Sequence, residues 1–154
     1  MLDPELSREL HAYAVSHSLT ELDEKVASEM CSSIRRKFVG HSGTQWWWDS
    51  LSCKCATIDY GDSDGLALVR SLLAQENSLI IAITDDEHPP WPALLGTTES
   101  VLGLLSELRF FEYFLTDQAN NWVVFDTHHN SLVVAGSLLE EAENLRKSPK
   151  VANQ

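Results

Sequence analysis

Phe110-Phe111-Glu112-Tyr113-Phe114-Leu115-Thr116, Trp122-Val123-Val124-Phe125-Asp126-Thr127 and Ser131-Leu132-Val133-Val134-Ala135-Gly136 are the runs whose reading decides the fold. Each is short, rich in β-branched and aromatic side chains, and bounded by polar residues, which is strand composition. The segments between them, 117–121 and 128–130, have room only for hairpin turns, so the runs predict a meander. Alternation puts Phe110, Glu112 and Phe114 on one side of the first strand and Phe111, Tyr113 and Leu115 on the other.

Upstream, Ser78-Leu79-Ile80-Ile81-Ala82-Ile83-Thr84 is an apolar run of the kind found in central, doubly covered strands. A turn at 60–65 precedes it, followed by a helix carrying Leu66, Leu68, Val69, Leu72 and Leu73. After it, a proline-rich loop over 85–93 leads through Thr97 or Thr98, as cap, into a helix with Val101, Leu102, Leu105 and Leu108. The first helix is announced by Asp3 and Pro4, with Leu6, Leu10, Tyr13 and Ala14 on one face. A second is expected from Thr20, with Asp23 three residues on as in a capping box. Its stripe is Leu22, Val26, Met30, Ile34 and Phe38, ended by Gly40 and Gly43. Arg35, Arg36 and Lys37 then fall in its last turn, where cations complement the helix dipole. Residues 46–58 read as extended and 137–147 as a final amphipathic helix.

The order α, α, β, α, β, α, β, β, β, α predicts an α+β fold. The expected sheet is mixed or mostly antiparallel and ends in a three-strand meander, with helices packed mainly on one face. Residues 1–147 are expected to form one domain and 148–154 a flexible tail.

Charge narrows the partner. Acids number 23 against 11 bases, a net charge of −12 on 154 residues. That balance excludes nucleic acids and anionic membranes, which are bound by Lys and Arg on phosphate, and points to a cationic partner. Residues 56–135 hold Asp59, Asp62, Asp64, Glu76, Asp85, Asp86, Glu87, Glu99, Glu107, Glu112, Asp117 and Asp126 against only Arg70 and Arg109, so a polarised surface is expected. Cys31, Cys53 and Cys55 make an odd set, unsuited to a disulfide framework. The opening residues lack a signal-peptide pattern, and the longest apolar stretch, 79–83, is too short to cross a bilayer. The expected location is the cytoplasm.

Chemistry-bearing motifs are few. Asp62-Ser63-Asp64-Gly65 resembles a calcium loop, but aligning Gly65 with the loop glycine puts Tyr60 and Ser71 where acids are required. It reads instead as a turn capping a helix. Asp85-Asp86-Glu87-His88, stiffened by Pro89, Pro90 and Pro92, follows the apolar strand, a common place for function. No second set of ligands at helical spacing accompanies it, nor does any accompany the turn pair His128-His129 or Cys53-x-Cys55. Neither a phosphate loop nor a nucleophile elbow occurs. No catalytic residue, metal or cofactor is expected. Trp46-Trp47-Trp48, beside Asp49, combines aromatic and acidic character in the manner of a protein interface.

Pro90-Trp91-Pro92, Gly96, Phe111-Glu112-Tyr113-Phe114, Asn121-Trp122-Val123-Val124 and the His-rich turn that follows resemble the C-terminal half of small bacterial immunity proteins. These accompany polymorphic or contact-dependent growth inhibition toxins. The resemblance implies a cytoplasmic inhibitor that occludes the active site of a cognate, basic nuclease toxin. On that reading Asp62, Asp64, Asp85, Asp86 and Glu87 take the place of substrate phosphates, and Trp46, Trp47 or Trp91 supplies the desolvated anchor. The alternatives are a metal-dependent enzyme using the 85–88 loop with His88 or His128, or a constitutive adaptor subunit.

Overall fold

The computed structural model describes residues 3–40, 47–49, 51–84, 91–108, 111–127 and 129–147. Its helices are α1 (Pro4–His17), α2 (Glu24–Ile34), α3 (Gly65–Leu72), α4 (Thr98–Glu107) and α5 (Leu139–Arg146). Its strands are β1 (Thr20–Glu21), β2 (Cys55–Asp59), β3 (Ser78–Ile83), β4 (Ala93–Thr97), β5 (Tyr113–Thr116), β6 (Trp122–Asp126) and β7 (Ser131–Gly136). They form one sheet in the order β1-β4-β3-β5-β6-β7-β2, and every neighbouring pair is antiparallel. The fold is α+β, with the expected meander β5-β6-β7.

Alternation along the strands builds two apolar layers. Ile81, Ile83, Tyr113, Leu115, Trp122, Val124, Leu132 and Val134 pack with buried side chains of α1, α3, α4 and α5. Ile80, Ala82, Phe114, Val123, Phe125, Val133 and Ala135 pack with α2 and the turns that follow it. Helices thus lie mainly on one face. The central strands read as almost unbroken apolar runs because both of their faces are covered.

Caps behave as their chemistry requires. The Asp3 carboxylate accepts from the Leu6 N–H at 3.3 Å, and the Thr97 hydroxyl from the Ser100 N–H at 3.1 Å. Leu6, Leu10, Tyr13 and Ala14 form the buried face of α1.

Three expectations need correction. Thr20 does not open a helix: Thr20 and Glu21 pair with Leu95 and Leu94 as an edge strand, and Asp23 caps α2 by accepting from the Val26 N–H at 2.9 Å. The later start rotates the buried face to Ala27, Met30, Cys31 and Ile34, leaving Val26 exposed. Helix α2 then widens into a π-helical turn, Arg35–Val39, closed by Gly40 N–H donating to the Arg35 carbonyl at 2.8 Å. From that turn Lys37 Nζ donates to the carbonyls of Ala119 and Asn120 at 3.0 and 3.1 Å, tying it to the β5–β6 connection. Second, the segment read as extended over 46–58 holds a 3-10 turn, Trp47–Asp49, and becomes strand only at Cys55. Third, the stretch from the end of the expected loop to the helix cap, Ala93–Thr97, is strand β4, which supplies β3 with hydrogen-bonding partners on its outer edge.

Candidate functional site

Register decides which residues share an end of the sheet. Asp59 pairs with Ser131, Asp126 with Leu132 and Tyr113, and Ile83 with Tyr113. The connections leaving this end are 60–64, 84–92, 108–112 and 127–130. Asp59, Asp62, Asp64, Glu112 and Asp126 therefore gather there, with Glu107 at the returning end of α4. At the opposite end stand Glu76, Glu99 and Asp117, together with cations that the fold holds in place. Arg70 pairs with Glu99 at 3.1 Å, and Lys37 is held by the β5–β6 carbonyls. Among the described residues acids thus stand at both ends, Glu140 and Glu141 of α5 joining the second, while the held cations Lys37 and Arg70 lie at the second end alone.

At the acidic end lies a cleft of about 400 Å³ lined by Tyr60, Asp62, Leu66, Leu105, Phe111, Tyr113, Asp126 and Asn130. Its floor is the Asp126 carboxylate. Trp122, Val124 and Asp126 alternate onto the same face of β6, so the acid occupies a core position and is only 8% exposed. Two phenols satisfy it: Tyr60 donates to Oδ1 at 2.6 Å and Tyr113 to Oδ2 at 2.7 Å. Among the described residues no cation pairs with it.

Burial pushes the Asp126 carboxyl above its ordinary value, with the Glu112 charge adding to the rise and the two phenol hydrogen bonds opposing it. Desolvation raises both phenols as well, reinforced by the Asp126 they serve. Held below that point, the tyrosines stay protonated and act as donors.

Local sequence explains the wall. The Tyr60 N–H donates to the Asn130 carbonyl at 3.0 Å, and Ser63 N–H returns to the Tyr60 carbonyl at 2.8 Å, closing the turn after β2. A side chain at Gly65 would place its Cβ 2.7 Å from Tyr60 Cζ, so only glycine lets the ring lie against the start of α3. Phe111 meets Tyr113 edge to face with centroids 6.0 Å apart.

The sequence-predicted residues divide. Asp62 is exposed on the rim of the cleft. Asp64 is exposed too, but its carboxylate caps α3, accepting from Leu66 and Ala67 N–H at 3.0 and 3.2 Å. Asp85, Asp86, Glu87, His88, Trp46 and His128 lie outside the described residues. The chain enters and leaves the 85–90 segment at the acidic end: Thr84 N–H donates to the Glu112 carbonyl at 2.8 Å, and Ile83 N–H to the Pro92 carbonyl at 2.9 Å. Trp47 and Trp91 are corrected as surface anchors. They are 7% and 4% exposed, meet edge to face at 4.8 Å, and both pack on Phe114 in the α2-side core.

His129 is exposed and meets Trp48 edge to face at 5.6 Å. All three cysteines are free thiols, and burial pushes those of Cys31 and Cys53 up, away from reactivity. Among the described residues no group of three or more His, Cys, Asp or Glu could hold a metal ion, and no helix is long and apolar enough to cross a membrane.

Sequence reasoning missed Tyr60, Phe111 and Tyr113 as site residues and counted Asp126 only as charge. A signal was present: an acid at a core-facing position of a strand must find donors, and tyrosines on neighbouring strands are the natural source. Comparison with protein-family models, curated proteins and solved structures finds no significant match.

Proposed function

We propose that this protein works in the cytoplasm as a stoichiometric inhibitor of a cationic protein, in the manner of an immunity protein that neutralises a cognate nuclease toxin. One observation carries the reading: the connections at a single end of the sheet bring together Asp59, Asp62, Asp64, Glu112 and Asp126, while Lys37 and Arg70 are tied to the other end. Such polarity focuses a negative field where a basic surface would dock, raising the rate of encounter. Both faces of the sheet are covered, so recognition falls to this end. Asp85-Asp86-Glu87 belongs to the sequence between Thr84 and Trp91, whose described flanks meet at this end. With Trp47 and Trp91 in the core, the aromatic contribution comes from Tyr60 and its neighbours in the cleft.

The reading requires a neighbouring gene that encodes a toxin, and the test is co-expression with the C-terminal segment of that gene's product. Restored growth and a one-to-one complex are expected, with Asp62→Lys slowing complex formation. Growth that stays arrested while the folded chain is abundant would refute the inhibitor reading.

A further inference from the structure

The cleft at the acidic end has a composition that selects its occupant. Its floor is a carboxylate almost removed from water, and its walls are the rings of Tyr60, Phe111 and Tyr113 with Leu66 and Leu105. Asp62 stands exposed at the mouth. An anion is repelled by both acids. A neutral apolar group would cover a carboxylate that lacks a cationic partner among the described residues and return it nothing. An organic cation meets each need: charge for Asp126 and Asp62, and aromatic faces for its flat or alkylated surface. Each Asp126 oxygen already takes one phenol proton and retains further acceptor capacity for a second donor. A volume of about 400 Å³ admits a side-chain head and part of its stem.

We propose that the cleft formed by Tyr60, Phe111, Tyr113, Asp126 and Asp62 is a receptor for a guanidinium group, supplied by an arginine of the protein partner. This rests on the inhibitor reading for the source of the arginine, although not for the chemistry of the cleft. Arginine fits better than lysine because its planar fork stacks on aromatic rings and presents several donors to one carboxylate.

The cleft can be tested without the partner. N-acetyl-arginine amide, ethylguanidinium and N-acetyl-citrulline amide are titrated into the intact protein, and amide shifts are followed by NMR. The arginine amide should bind saturably, moving residues 60–66, 111–113 and 126–130, while the isosteric neutral citrulline binds at least tenfold more weakly. Asp126→Asn should weaken arginine at least tenfold, and Asp62→Asn severalfold. Ser63→Trp, which fills the mouth from a half-buried position on its rim, should abolish binding while leaving the Tyr60, Tyr113 and Asp126 side chains in place, so a folding defect in Asp126→Asn leaves the test intact.

Ethylguanidinium binding more tightly than the arginine amide would assign the cleft to a free small cation instead of a polypeptide. Equal affinity for citrulline, or shifts located elsewhere, would overturn the receptor. A Ser63→Trp protein that still neutralises a toxin at full strength would overturn the arginine contact and leave the inhibitor reading standing.

Discussion

Replacing Tyr113 by Phe deletes one oxygen from the wall of the cleft and little else. The ring is 5% exposed and its hydroxyl donates to Asp126 at 2.7 Å. With Asp126 ionised, the lost bond is one to a charged acceptor and costs about 1.5–3 kcal/mol. For a domain of this size each kcal/mol moves the midpoint by about 2–4 °C, giving a fall of about 3–12 °C. Once Asp126 is protonated the same contact is a neutral hydrogen bond, costing about 1 kcal/mol. The destabilisation should therefore shrink on acidification through the raised Asp126 value. Denaturant unfolding of both proteins across a pH series measures this directly. A cost that is constant with pH, or below about 0.5 kcal/mol at neutrality, would refute the claim that Tyr113 serves an ionised carboxylate.

Because the folded Asp126 holds its proton more tightly than the unfolded chain does, its contribution to stability grows as pH falls through the folded value; Asp126→Asn should flatten that part of the profile. Tyr60 and Tyr113 are raised likewise, so their contribution is complete below the unfolded phenol value of about 10 and is lost as pH climbs towards their folded values, which alkaline unfolding followed by tyrosinate absorbance should show. Gly136 has φ +90° and a Cβ there would lie 2.7 Å from Trp122 Cα, so Gly136→Ala should cost about 2–6 kcal/mol in thermal denaturation through strain and overpacking. Trp91→Ala should cost about 3–5 kcal/mol of stability, with the loss visible in the free protein, as expected of a core residue. Exchanging Asp85, Asp86 and Glu87 for Asn, Asn and Gln should slow association with the cationic partner and flatten its salt dependence, measured by stopped flow.

Where local chemistry decides structure, the sequence could be read closely. Asp3-Pro4 and Thr97 cap the helices expected of them, and the runs at 131–136 and 78–83 are strands because their composition suits little else. Errors arose where tertiary pairing overrode local pattern. Thr20-Glu21 has the look of a helix start, yet its backbone is taken by β4. Ala93–Thr97, with Gly96 inside it, carries weak strand propensity and is extended because β3 needs a neighbour. The tryptophans illustrate the same limit for the site. Trp47 and Trp91 are distant in sequence, and only the fold reveals that they fill one pocket of the core against Phe114. Conversely, the cleft joins Phe111 and Tyr113, two residues apart, to Asp126 of β6 and to Tyr60 beyond β2, and no local spacing links these three places. Charge density was legible from counting; its direction in space required the register of the strands.

Titration of the protein with an oligo-arginine peptide, followed residue by residue in NMR spectra at rising salt, tests the polarity most directly. Shifts concentrated at 59–66, 111–113 and 126–131, fading as salt is added, are the predicted result. Shifts centred on Glu76, Glu99 and Asp117, or spread evenly over the surface, would contradict the proposed cation-binding end.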